Sequence, residues 1–170
     1  METNRNQPTG RTPVDTLVQR LATEREGGGG GVAPASVPDD PANRGRSPEE
    51  ALDEALRQTP AGDAFEFDES VVKQNLDEIL LSLIALRCEG THGKALIEDL
   101  ANLFGADLSP GTVYPRLHDI ENEDVLEMYE LVRTKEYAVA DETAAKDRIE
   151  TAMHQHLCLG LFLSAALEEL

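Results

Sequence analysis

Ser109-Pro110-Gly111-Thr112-Val113-Tyr114-Pro115-Arg116-Leu117 is the stretch on which the fold turns. It reads as the opening of a helix. Ser109 is a residue type whose side chain accepts from the free N–H groups of a first turn. Pro110 suits the first helical position, where its missing N–H costs nothing and its fixed φ is already helical. Val113, Leu117 and Ile120 recur at i, i+4 and i+7 and predict the buried stripe. Thr112, Arg116 and Asp119 are then expected on the outer side, with Tyr114 and His118 flanking. Pro115 removes one backbone bond from the helix interior, so a slight kink is expected there. Taken alone, these nine residues fit an ordinary short core helix as well as a helix that something else will touch.

The neighbouring segments favour the second reading. Upstream, Asp68 to Ser70 supply a cap, and Leu76 to Arg87 is a strongly apolar helical run that Gly90 is expected to end. Ala64-Phe65-Glu66-Phe67, just before it, is a candidate arm or short strand. Thr91 is the expected cap of a second helix, Lys94 to Phe104, with Leu96, Ile97, Leu100 and Leu103 on its core face and Gly105 closing it. Downstream, Val125 to Leu131 and Glu136 to Ala140 read as two short strands, joined through the basic turn Arg133-Thr134-Lys135. Helix, helix, helix, two-stranded wing is the order of a winged helix-turn-helix, whose last helix enters the DNA major groove.

Thr91-His92-Gly93 and Leu108-Ser109-Pro110-Gly111-Thr112-Val113-Tyr114-Pro115 resemble the signature of PadR-type winged-helix transcription regulators. The resemblance covers roughly residues 70 to 140, plus a C-terminal helix of the expected kind. Family members often carry glycine in the corner after the recognition helix; Asp124 stands in that place here. The expected fold is mainly α with a small β-wing, a winged helix-turn-helix plus a long C-terminal dimerisation helix. In this reading Thr112, Tyr114 and Arg116 meet the groove, and backbone N–H groups around Ser109 and Gly111 lie near a phosphate. His92 and Lys94 lie where such domains touch phosphate, although packing or capping serves His92 equally well. Arg133 and Lys135 at the wing tip are expected to touch the DNA backbone or minor groove.

The last helix is expected from Glu142 onward, with Asp141 as its cap. Ile149, Met153, His156, Gly160, Leu163, Leu167 and Leu170 follow a 4-3 spacing, which is a heptad seam. Leu157, Leu159, Leu161, Phe162, Ala165 and Ala166 make its last third apolar on nearly every side. One face is expected to cover the first apolar helix and the other a second subunit. PadR-like proteins similarly dimerise through a C-terminal helix.

The 170 residues carry a formal net charge of −18. Residues 1–62 hold 7 basic and 10 acidic side chains, residues 63–170 hold 8 and 23, so the excess belongs to the folded part. Only four lysines occur. A lysine-poor acidic surface looks like that of a protein from a salt-accumulating microbe such as a halophilic archaeon, where cations relieve the self-repulsion. Bound monovalent cations are therefore expected partners, beside double-stranded DNA carrying a pseudo-palindromic operator and a second copy of the chain.

Residues 1–62 are expected to be a disordered extension, with transient helices at Val14 to Glu24 and Pro48 to Arg57. The second of these opens on a capping box of Ser47 and Glu50. Residues 63–140 are assigned to the DNA-binding domain and 141–170 to the dimerisation helix. Two cysteines, Cys88 and Cys158, are too few for a disulfide framework and are expected to be buried and structural. The longest apolar run, Leu157 to Leu167, is too short to cross a membrane, and a cytoplasmic location is expected. His154 and Cys158 share a helical face at i, i+4, but no third ligand accompanies them, so no metal or other cofactor is expected. No nucleophile–histidine pair, phosphate loop or dinucleotide fingerprint is present, which argues against an enzyme. The expected function is a homodimeric, sequence-specific transcription regulator in a high-salt cytoplasm, with a stress response implied by the resemblance. The alternative is a dimeric winged-helix interaction module that has lost DNA binding.

Overall fold

Apolar spacing decides which faces meet. The computed structural model describes residues 46–59, 65–87, 90–131 and 134–169. The expectations for Val14 to Glu24, Cys88, Arg133 and Leu170 lie outside the described residues. Helix α1, Pro48–Arg57, starts on the expected capping box, Ser47 and Glu50 each bonding the other's backbone N–H at 3.2 Å. Asp68 caps α2, Glu69–Gln74, by accepting from Ser70 N–H at 2.7 Å. The long first helix expected here is in fact two. Asn75 leaves helical geometry (φ −113°), its amide donates to the Val71 carbonyl at 2.8 Å, and α3, Leu76–Leu86, restarts beyond it. Nor does Gly90 end α3. Arg87 is already extended, and Gly90 at φ +73° turns the chain into a strand instead.

That strand, β1 at Thr91–His92, was not expected. It pairs antiparallel with β3, Thr91 opposite Tyr137 and His92 opposite Glu136. Thr91 therefore does not cap the next helix. Pairing makes it extended and buries it, and His92 takes the N-cap position of α4, Gly93–Phe104, without a side-chain capping bond. Gly105, at φ +64°, closes α4, and Ala106 N–H reaches back to the Leu100 carbonyl at 3.1 Å. Helix α5, Pro110–Asn122, follows and runs continuously through Pro115. Ser109 sits at its N-cap with an extended backbone, and its carbonyl accepts from Thr112 and Val113. Its hydroxyl does not cap; it lies 3.2 Å from the Thr112 hydroxyl.

Strands β2, Leu126–Glu130, and β3, Lys135–Val139, form the wing, so the sheet has three strands in the order β1-β3-β2. The corner between α5 and β2 needs a left-handed residue, and Asp124 supplies it at φ +58°. Asp is among the few non-glycine residues that enter this region at modest cost. Phe65 and Phe67 form no strand. Phe67 tilts onto Phe104 with ring centroids 5.1 Å apart, and Phe65 meets Phe67 edge-on at 4.9 Å.

The core is the convergence of three helical stripes. Leu80, Leu81 and Ile84 of α3, Leu96 and Leu100 of α4, and Val113, Leu117 and Ile120 of α5 are fully buried. Each such side chain stabilises the fold by about 1.5–3 kcal/mol relative to exposure. Helix α6, Glu142–Leu167, is capped by Asp141, which accepts from Ala144 N–H at 2.9 Å. Its Ala144, Ala145 and Ile149 close the core from the far side. Helix-turn-helix, a wing built on a short third strand, and a long terminal helix together make a winged helix-turn-helix.

Candidate nucleic-acid interface

Burying Val113, Leu117 and Ile120 fixes how α5 presents its other residues. Gly111, Pro115, His118 and Asn122, at i, i+4, i+7 and i+11, occupy the opposite side, and all four are exposed. Tyr114 and Glu121 lie along the flank that faces β1 and the wing. Thr112 and Arg116 lie along the other, beside α3. The three side chains expected to meet the groove together are thus divided. Arg116 Nη1 is 3.7 Å from Asp77 Oδ2 of α3. Sequence reasoning placed His118 only on a flank and gave Pro115 no outward role. Counting from the centre of the apolar stripe would have put both outermost.

Between α5 and the wing runs an open groove of about 1030 Å³, bordered by His92, Gly93, Tyr114, His118, Lys135 and Tyr137. It gathers His92, Lys94, Tyr114 and Lys135 from four separate elements. Carboxylates attend Lys94 and both histidines. Lys94 Nζ is 3.3 Å from Glu98, His92 Nε2 is 3.5 Å from Glu136, and His118 Nδ1 is 3.2 Å from Glu121. In the wing register Lys135 stands opposite Glu130. Such exposed pairs contribute about 0–1 kcal/mol each, so a phosphate can displace the carboxylate at small cost. Burial raises the Tyr137 hydroxyl above the ordinary tyrosine range, with Tyr114 and Glu121 adding to it, so the phenol at the base of the groove stays neutral.

Behind α5 lies an ionic cluster that sequence reasoning missed. Arg148 of α6 reaches Asp77 at 3.0 Å, Glu78 at 3.4 Å and Glu123 at 2.6 Å, joining α3, α6 and the end of α5. Asp77 also faces Arg116, yet burial outweighs both guanidinium groups and holds its carboxyl above the usual aspartate range. A second pair, Arg87 with Asp99, is bidentate at 2.7 and 3.0 Å and ties the end of α3 to α4.

The proposed seam divides as sharply as α5 does. Ile149 and Met153 are half-buried, and His156 Nε2 is 2.7 Å from Asn75 Oδ1 of its own chain. Gly160 borders open space, and Leu163 and Leu167 are 53% and 71% exposed. Cys158, expected to be buried, is exposed in the single chain because the apolar end of α6 extends past the domain. Among the described residues no helix is long and apolar enough to cross a membrane.

Residues 80–145 match the model of the transcriptional regulator PadR-like family. The transcriptional activator GvpE of Haloferax mediterranei is 49% identical over 98 residues, covering 58% of this chain and 50% of that protein. The transcriptional activator GvpE1 of Halobacterium salinarum is 46% identical over 101 residues, covering 59% and 52%. The chain thus spans about half the length of the curated relatives it matches. A solved structure of RosR from H. salinarum is 24% identical with a TM-score of 0.40, covering 55% of this chain and 93% of that one. A transcriptional regulator from Clostridium thermocellum is 16% identical with a TM-score of 0.47, covering 58% and 96%.

Proposed function

We propose that this chain, which carries a PadR-like domain over residues 80–145, is a DNA-binding transcription regulator that acts as a homodimer in a high-salt cytoplasm. One observation carries the reading. The exposed side of α5 borders a groove in which His92, Lys94, Tyr114, His118 and Lys135 converge from four elements. Helix α5 enters the major groove, the wing lies along the backbone, and two copies related by a two-fold axis read a pseudo-palindromic operator. Activation rather than repression is proposed from the names of the relatives. Residues 63–140 read DNA, and residues 141–170 pair the subunits.

The charge shapes how binding works. Glu121, Asp124, Glu130 and Glu136 approach the phosphates with α5 and the wing. An ordinary basic protein releases cations from DNA, and its affinity falls with salt at a log–log slope of about −0.9 per phosphate contact. Here monovalent cations are taken up between carboxylates and phosphates, so affinity stays flat or rises from moderate to multimolar KCl. Mobility shifts across that range test the proposal. A steady fall with the slope of several phosphate contacts overturns the cation uptake. Absence of binding at every salt concentration overturns the DNA-binding reading in favour of a protein–protein interaction module.

A further inference from the structure

Three glycines near the reading head have different reasons to be glycine. Gly90 and Gly105 have positive φ and are explained by backbone conformation. Gly93 does not. It opens α4 in a conformation open to any residue, where alanine is ordinarily the better helix former by about 0.5–1 kcal/mol. What surrounds it is specific: a Cβ built on Gly93 would stand 2.5 Å from Tyr114 Cε1 and 3.0 Å from both Cζ and the hydroxyl oxygen. The ring of Tyr114 therefore lies across the start of α4, occupying the space that a side chain at 93 would fill.

We propose that Gly93 is a positioning residue for DNA recognition: its missing side chain lets Tyr114 lie flat over the start of α4 and hold its phenol at the mouth of the groove between α5 and the wing. This rests on the reading of α5 as the DNA-facing helix. Tyr114 is 38% exposed, so it is a surface group held in place and not a core residue. Its neighbours there are His92, His118 and Tyr137. A methyl group at 93 overlaps only the far end of a side chain with two rotatable bonds, so the ring swings outward and the fold survives. The swung ring then stands where α5 must meet the duplex.

The full chain contains three tyrosines, at 114, 129 and 137, so 3-fluorotyrosine labelling gives three fluorine resonances, assignable by Tyr→Phe substitution. Gly93→Ala is expected to move the Tyr114 resonance, leave Tyr129 in place and change the melting midpoint little. On a duplex selected by the wild-type chain from a random pool in multimolar KCl, Gly93→Ala is expected to lose roughly tenfold in affinity. In a Tyr114→Ala background the same change should cost less than about twofold, because the colliding ring is gone. An unmoved Tyr114 resonance, or equal losses in both backgrounds, overturns the proposal. If Gly93→Ala does not fold, recovery of folding in the Tyr114→Ala background supports the same contact, and failure of both overturns it. A wild-type chain that selects no duplex sinks the reading of α5, while the fluorine spectra still decide whether Gly93 places the ring.

Discussion

The two halves of α6 are one continuous helix in two different environments. In the first half, Ala145 is buried, Ile149 packs on the core and Arg148 is held by three carboxylates. In the second, Leu159, Phe162, Leu163 and Leu167 are 55%, 69%, 53% and 71% exposed. The heptad spacing runs through both without a break. Periodicity alone therefore states that a face is apolar, not which chain covers it. The first half is a fixture of its own domain, and the second is the part that the proposed dimer would use.

The strongest test of that division acts on the free half. Leu163→Glu with Leu167→Glu places two carboxylates in the proposed seam at roughly 1–3 kcal/mol each. Light scattering should show a monomer or aggregate, with the helical content of the winged domain retained; an undisturbed dimer would remove this half from the interface. Arg148→Ala acts on the other half. It leaves Asp77, Glu78 and Glu123 facing one another without their shared cation, and denaturant unfolding should show a loss of about 2–3 kcal/mol. The seam itself is untouched, so subunit exchange in the folded protein should be unaltered. If the loss appears instead in the dimerisation constant, the two halves are not separate.

The smallest effect is expected at Asp77. Its folded carboxyl titrates above the unfolded one, so folding favours the protonated form. That contribution is present at low pH and is lost as pH rises through the folded pKa. Asp77→Asn should shift stability by under about 1 kcal/mol at neutral pH, since Arg148 keeps Glu78 and Glu123. As pH falls toward the ordinary aspartate value of about 3.9, the wild type should gain on the variant. Thermal melts at a series of pH values check the direction. A variant that gains on the wild type in acid would show that the ionised form is the favoured one.

Local chemistry made much of this fold legible. The stripe of Val113, Leu117 and Ile120, the capping box at Ser47 and Glu50, and the caps Asp68 and Asp141 all use groups within seven residues of one another. Interactions across long separations were not legible. Arg148 and Asp77 are 71 residues apart and have no periodic signature. Strand β1 is two residues long, too short to alternate, and it exists only because β3 offers an edge. Helix α5 was readable as a helix, but its outward residues were not all identified. Polar side chains such as Arg116 look alike in sequence whether they face solvent or an acidic neighbour like Asp77.

Length gives α6 a further role. Its 26 residues extend about 39 Å, of which about 29 Å lies beyond Arg148. One end is fixed to the reading head through Arg148, and the other carries the seam, so in the proposed dimer the helix is a ruler between two reading heads. Its settings are quantised by the helical repeat. Inserting two residues between Arg148 and Leu163 would rotate one end by about 200° and turn the heads away from a common groove face. Inserting a full heptad would nearly restore the angle and lengthen the span by about 10 Å. In the proposed dimer, operator spacing would then follow from a segment that does not itself touch DNA.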